Sequence, residues 1–425
     1  MALLRFEKPA WAWAFYDWAN SAFATTVMGV FFPIMFKQFW SSGVAASVST
    51  FRLGMVNSAA SVIVAALSPL LGVVGDRGGS RKKFLFFFTM MGVVMTGGLF
   101  LAAKGEWLAA ALLYLFASVG FSGGITFYDS LIVAVADHRK ADMVSALGYS
   151  LGYLGGGLLF AVNVYMTASP KTFGLADASE AVRWSFLSVA LWWAVFSIPV
   201  FFWVKEPSGE GEKLSFKAIA RGALEVVGTI RAVRAHKSVF LFLIAYWLYI
   251  DGVDTIIRMA VDFGMSLGFD TRSLMLAFLV TQFVGFPAAI LYGKLGEKIG
   301  TRRAIYLGLG VYVCVVAWAY LMSAPWEFYV LSVAVGLVQG GVQALSRSYF
   351  AALIPEERSA EFFGFYNMLG KAAAILGPLM MGIAATMFDS ARAAILPIFL
   401  LLVGGALLLS RVPEPSGSPT GPEAS

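Results

Sequence analysis

The 425 residues are 59% hydrophobic and only 13% charged, with 31 basic and 25 acidic side chains for a net charge of +6. A soluble domain runs at about 45–50% apolar and about 25% charged, so this composition excludes a soluble multidomain enzyme, a disordered scaffold and a disulfide-rich secreted module. One cysteine, Cys314, leaves no internal disulfide and no cysteine-cluster metal site, and two histidines, His138 and His236, leave little for a zinc centre. With a mean hydropathy of +0.78, the chain reads as a polytopic, all-α membrane protein without metal or cofactor.

Crossing the hydrocarbon takes about 20 apolar residues, and twelve such stretches follow one another. The first begins after two basic residues, Arg5 and Lys8, and is longer than the core of a signal peptide, so it is expected to stay as a helix. The first six spans are expected near 11–40, 51–75, 84–103, 107–135, 143–168 and 183–204. A polar stretch, 205–237, then separates the halves. Within it Phe216, Ile219, Leu224, Val227, Ile230 and Val233 recur at helical spacing with basic residues between them. That pattern fits a helix lying on the inner membrane face and equally a solvated linker helix. The remaining spans are expected near 239–262, 273–293, 304–323, 326–353, 362–386 and 393–410. The domains are therefore a six-helix bundle (1–204), a linker (205–237), a second bundle (238–412) and a Pro/Ser/Gly-rich tail (413–425) expected to be disordered.

An even number of spans puts both termini on one side. Basic residues favour that side roughly threefold, which predicts cytoplasmic termini in a cell membrane. The positive charge thus belongs to membrane topology rather than to nucleic-acid binding, and the expected assembly is a monomer in the lipid bilayer.

The two halves repeat each other. Gly72-Val-Val-Gly75-Asp76-Arg77-Gly-Gly79-Ser80-Arg81-Lys82 follows the second span, and Gly293-Lys-Leu-Gly296-Glu297-Lys298-Ile-Gly300-Thr301-Arg302-Arg303 follows the eighth. Gly, Gly, acid, base, Gly, hydroxyl, base and base match at a constant offset of 221 residues, so the chain is two related six-helix units. More weakly, Asp17-x-x-Asn20-Ser21 in the first span resembles Asp251-x-x-Asp254-Thr255 in the seventh.

This arrangement resembles the major facilitator superfamily, whose signature loop follows helices two and eight; here Gly78-Gly79-Ser80 adds one residue before the basic cluster. Within it the chain is similar to the bacterial branch related to the autophagy-associated vacuolar amino-acid effluxers. That similarity is carried by Phe15-Tyr-Asp-Trp-Ala-Asn-Ser-Ala-Phe23, Ser145-Ala-Leu-Gly-Tyr-Ser-Leu-Gly-Tyr-Leu-Gly155, Asp251-Gly-Val-Asp-Thr255, Gln343-Ala-Leu-Ser-Arg-Ser348 and Glu361-Phe-Phe-Gly-Phe-Tyr-Asn367. The resemblance implies secondary transport, with amino acids or similar small solutes as cargo. It also implies that Gly72, Gly75, Asp76, Arg77 and Arg81, with Gly293, Gly296, Glu297, Lys298 and Arg302, form cytoplasmic gating loops that hold the outward-facing state.

Seven ionisable residues lie within predicted spans: Asp17, Asp129, Asp251, Asp254, Arg258, Arg347 and Lys371. Each costs about 2.5–3.5 kcal/mol at a helix centre, so together they must pair or face water. Six of them fall on helices one, four, seven and ten, which line the central cavity in the resembled superfamily. Asp251, Asp254, Arg258 and Asp262 stack on one face of helix seven. They offer either an intrahelical Asp254–Arg258 pair or a proton relay or cation site, with Asp251 as its carboxylate. Arg347 could grip a substrate carboxylate while Asp17 and Asp129 receive an ammonium; an Asp129–Arg347 or Asp17–Lys371 gate between the halves fits equally.

The expected function is secondary active transport of a small polar solute by alternating access, coupled to protons, since no nucleotide-binding motif is present. Asp17, Asn20, Asp129, Asp251, Asp254, Arg258, Gln343, Arg347 and Lys371 would form the substrate or proton pathway. The alternative is a non-transporting sensor or assembly protein on a transporter fold. A membrane enzyme is not expected, because no nucleophile or metal motif stands out.

Overall fold

The computed structural model describes residues 6–44, 52–53, 55–57, 59–68, 81–136, 140–206, 236–267, 269, 271–388 and 392–413. The central linker helix, the start of the tail beyond Pro413 and the first gating loop (Gly72, Gly75, Asp76, Arg77) lie outside them.

Helices account for the fold. The first half holds α1 (Lys8–Trp40), α2 (Met55–Ser68), α3 (Arg81–Gly98), α4 (Trp107–Ser130), α5 (Ala141–Ala168) and α6 (Ala178–Trp203). The second holds α7 (Lys237–Ser266), α8 (Thr271–Ile299), α9 (Thr301–Leu321), α10 (Pro325–Leu353), α11 (Ser359–Phe388) and α12 (Leu396–Leu409). Among the described residues, eight helices are long and apolar enough to cross a bilayer. The chain therefore runs up and down, and one face of the bundle, here the terminal face, carries residues 8, 81, 204, 237 and 410. Phe86, Phe87, Leu112, Phe116, Leu191, Phe202, Leu291 and Leu307 point outward and exposed, as a lipid-facing wall requires.

Within the first half α1 packs on α5 and α6, and α3 on α4 and α6. A row of small residues explains the α1–α5 closeness. A Cβ at Gly152 would lie 2.6 Å from Ser21 Oγ, and one at Gly156 2.8 Å from Thr25 Oγ1. The opposite end of this half is filled by aromatics: Phe32 stacks on Tyr114 at 3.7 Å, and Trp40 on Phe186 at 5.8 Å. Beyond Ala22, α1 winds with wide, i→i+5 turns over Phe23–Phe31 and Phe36–Trp40.

In the second half α8 packs on α10, and α7 on α11 and α12. The seam between halves is made by α5 against α8 and α10, and by α4 against α11.

The second repeated segment departs from expectation. Gly293, Gly296, Glu297 and Lys298 form the last turns of α8, and Arg302 lies in the first turn of α9, so this gating element is a helix end rather than a loop. No proline interrupts α8 past its apolar stretch, and polar residues continue a helix into water without cost. The turn itself is confined to Gly300, at φ +93° and ψ 139°, a conformation nearly closed to residues with a Cβ. At the chain's other end Arg302 Nη1 donates to the Val412 carbonyl (2.6 Å) and Tyr349 Oη to that of Pro413 (2.9 Å), tying the last described residues to the second half.

Gly300→Ala is expected to destabilise the second half by about 1–3 kcal/mol, read as a lowered melting temperature of detergent-purified protein; an unchanged melting curve would contradict the strain assigned to this turn.

Candidate functional site

Arg347, on α10 six residues before the end of that helix, is 2% exposed and gathers side chains from three helices of the other half. Its Nη1 lies 3.1 Å from Asp129 Oδ1 on α4 and 3.4 Å from Asp17 Oδ2 on α1. Nη2 also donates to Asp17 Oδ2 (3.4 Å) and to the Ser145 carbonyl (3.0 Å), while Nε donates to Ser145 Oγ (2.9 Å). Every nitrogen of the guanidinium is thus engaged across the seam. Aromatic faces complete the enclosure, with the guanidinium carbon 4.7 Å from the Trp13 ring and 4.5 Å from that of Tyr149.

The carboxylates are themselves fixed. Tyr128 Oη donates to Asp17 Oδ2 (2.8 Å), and the Tyr128 ring stacks on Trp13 at 4.4 Å. Trp13 Nε1 in turn donates to the Tyr128 carbonyl (2.8 Å). Asn367 of α11 donates to Asp129 Oδ2 (3.2 Å), so Asp129 is held by two helices of the second half. Gly148 makes the room: a Cβ there would sit 2.6 Å from Asp17 Oδ2 and 3.0 Å from Tyr128 Oη. Among the described side chains one cation therefore meets two carboxylates, which leaves the cluster one positive charge short.

The structure brings Asp129 and Asp17 together on Arg347 across the seam between the halves. Asn20 is buried one turn further along α1, and Gln343 is half-buried one turn before Arg347. Asp254 is half-buried on α7, and Arg258 and Lys371 are on α7 and α11 with side chains outside the described set. Asp251 is not part of the cluster: it is 1% exposed and bonded within the second half, to the Gly377 N–H (2.9 Å) and the Thr255 hydroxyl (3.4 Å).

A second contact, closer to the terminal face, was not anticipated. Asp142, in the first turn of α5, accepts from Thr301 Oγ1 (2.6 Å) at the start of α9 and from Ser348 Oγ on α10. The glycines of the repeat let it in, since a Cβ at Gly296 would meet Asp142 Oδ2 at 2.7 Å and one at Gly293 would meet the Ala146 side chain at 2.6 Å. They serve close approach across the seam. The signal for Asp142 lay in a further internal match: Arg139-Lys-Ala141-Asp142 corresponds to Arg358-Ser-Ala360-Glu361. Two more bridges close this face. Arg81 donates to the carbonyls of Glu356 (3.2 Å) and Glu357 (3.1 Å), and Ser359 Oγ donates to the Ser130 carbonyl (3.1 Å). So Arg81, of the first repeat, and Thr301, of the second, each reach across to the opposite half.

Comparison with known proteins agrees with this architecture. The model of the family "Vacuole effluxer Atg22 like" matches residues 42–141 and 133–421. The chain is 38% identical over 420 residues to the MFS-type transporter YxiO of Bacillus subtilis strain 168, covering 96% of each chain. It is 24% identical to autophagy-related protein 22 of Coccidioides immitis, over 95% of this chain and 86% of the relative. Among solved structures it is similar to the proton:xylose symporter XylE bound to 6-bromo-6-deoxy-D-glucose (TM-score 0.72, 13% identity, 96% of each chain). It is also similar to the human organic anion transporter MFSD10 (TM-score 0.71, 15% identity, 95% of this chain and 99% of that one). These likenesses give the chain the major facilitator fold of twelve helices in two six-helix units.

Asp142→Ala removes the acceptor of the half-buried Thr301 hydroxyl and leaves Ser348 only the Leu345 carbonyl, a loss of about 1–3 kcal/mol in the contact across the seam. In a Cys314→Ser background, a cysteine replacing the buried Ser359 should then react with a maleimide about fivefold faster or more; an unchanged rate would show that Asp142 holds nothing shut.

Proposed function

The chain belongs to the vacuole effluxer Atg22-like family, a family of transporters, and we propose that it is a secondary active transporter of a small polar solute such as an amino acid. It works by alternating access, coupled to protons, in the cell membrane with both termini in the cytoplasm. The observation that carries this reading is the buried cluster in which Arg347 of one half is gripped by Asp17 and Asp129 of the other.

The physics of that cluster supports a coupled gate. In a low-dielectric interior a guanidinium must keep a carboxylate partner, and losing one partner of a buried pair costs about 3–5 kcal/mol. With two carboxylates on one cation, a proton can neutralise one acid while the other still balances Arg347. One ion pair instead of two then spans the seam, so a solute or water that replaces the remaining partner lets the halves part. A proton bound at Asp17 or Asp129 weakens the clamp on the terminal face, and a zwitterionic solute competes for the same groups, its carboxylate for Arg347 and its ammonium for the acids. The bias of basic residues toward the terminal face supports a cytoplasmic position for it, so the described state is closed to the cytoplasm. Asn20, Gln343, Asp254, Arg258 and Lys371 then stand along or beside the path between halves. Likeness in fold to a proton:xylose symporter, together with the interior carboxylates of this chain, supports the choice of proton over nucleotide as energy source.

The test is uptake of a radiolabelled amino-acid mixture into proteoliposomes under an imposed pH gradient. Asp129→Asn should lose gradient-driven accumulation about tenfold or more while retaining solute exchange, and Arg347→Lys, which cannot serve both acids with a planar fork, should lose both by a similar factor. Accumulation by Asp129→Asn equal to the parent protein would remove this cluster from the coupling mechanism.

A further inference from the structure

Helix α11 contains a weak point. Pro378 has no N–H to offer the helical ladder, and its ring disfavours the helical conformation of the residue before it. That residue is Gly377, the least constrained choice, and helices bend where such pairs occur. Here the position is held from outside. The buried carboxylate of Asp251 accepts the Gly377 N–H at 2.9 Å, and Thr255, one turn along α7, donates to the same oxygen. Approach is so close that a Cβ on Gly377 would overlap the Thr255 hydroxyl and lie 2.7 Å from Asp251 Oδ1. Side chain and backbone thus meet with no space between α7 and α11, and a carboxylate acceptor makes this bond stronger than a neutral one.

The two segments on either side of this point do different things. The segment from Ser359 to the joint carries Ser359, bonded to the Ser130 carbonyl, and Asn367, bonded to Asp129; it is part of the closed seam. The segment beyond it borders a cavity of about 100 Å³ inside the second half, where Met381 faces Thr255, Ile256, Phe263 and Ile398. On that side the segment is bordered by a pocket rather than by a packed helix, so it can shift while displacing fewer packed atoms.

We infer that Asp251 is a positioning residue that pins α11 to α7 at the Gly377–Pro378 joint, so that the gate-bearing segment swings about a fixed point as the terminal face opens. This rests on the transporter reading above and reassigns Asp251, which by its place in helix seven looks like a proton carrier. A pin needs an acceptor for the Gly377 N–H and no titratable proton. Asparagine keeps that acceptor at nearly the same size; leucine keeps the size and loses the acceptor.

The experiment uses the full chain in proteoliposomes with two readouts: pH-gradient-driven uptake of a radiolabelled amino-acid mixture, and maleimide labelling of Ser359→Cys in the Cys314→Ser background. Asp251→Asn should retain uptake and labelling within about threefold of the parent, whereas Asp251→Leu and Gly377→Ala should each lose uptake about tenfold and change the labelling rate about fivefold. Melting temperatures identify variants that fail to fold, and the Asn variant keeps the inference testable if the Leu variant does. Two results overturn it: a folded Asp251→Asn that loses accumulation but keeps exchange, which makes the carboxylate a proton carrier, or an Asp251→Leu that matches the parent in both readouts. Labelling decides the joint whether or not the mixture is carried, so absence of uptake by the parent protein counts against the transport reading and leaves the joint to the thiol.

Discussion

The structure depends on how one guanidinium is kept in a medium that does not tolerate it. Arg347 is enclosed by protein, and every one of its nitrogens is bonded to a group from the opposite half. Apolar packing holds each six-helix unit together, but lipid competes with helix surfaces on equal terms, so apolar contact alone gives two such units little reason to stay closed. Buried charge changes that balance. Separating the halves leaves Arg347 and two carboxylates without their partners, and the cost of doing so depends on what replaces them. A proton, a solute or water can each serve, which makes the closed state conditional on what is bound.

The polar contacts of the seam are arranged in depth. Nearest the terminal face, Arg81 and Ser359 bond to backbone carbonyls, and Asp142 gathers two hydroxyls. Deeper lies the Arg347 cluster with its aromatic walls. The outer contacts are neutral or charge-to-dipole and individually modest, about 0.5–3 kcal/mol each; the inner one is an ion cluster out of water. Contacts in this order let the rim loosen at small cost, while separating the inner cluster costs an ion pair out of water. Asp251 lies outside the contacts described for both layers, its carboxylate bonded to the backbone of α11 within the second half.

Much of this architecture is written in the sequence, because the constraints behind it are strong and local. A bilayer imposes span length, and length was readable in twelve apolar stretches; the repeated glycine-acid-base segments exposed the two-unit plan. Charges inside spans identified Asp17, Asp129 and Arg347, since so costly a placement has few explanations. What stayed hidden depends on tertiary direction. Asp142 lies at a helix start, where an acid is ordinary, and only the partners on α9 and α10 make it a latch. Gly293 and Gly296 looked like loop residues, yet their role is to let α5 approach α8. For Asp251, its place in a span gave burial alone, and the bond to the Gly377 N–H depends on where α11 falls against α7.

The internal repeat also explains why the cluster sits where it does. Extending the match of Arg139-Lys-Ala141-Asp142 with Arg358-Ser-Ala360-Glu361 backward places Arg347 in register with Tyr128. These two residues are in contact, the guanidinium carbon lying 5.5 Å from the tyrosine ring. Equivalent positions of two units related by a twofold axis can touch only close to that axis, so Arg347 and Tyr128 mark it. Groups at that axis face both units at once, so a bond between them joins the two halves directly. The two units have accordingly diverged at this register, one presenting a cation and the other a phenol with acids beside it. The same match pairs Asp142 with Glu361, yet Asp142 crosses the seam to Thr301 whereas Glu361 binds Arg358 in its own half at 2.7 Å. Symmetry of fold with asymmetry of charge gives the molecule two similar bodies that meet at one polar centre.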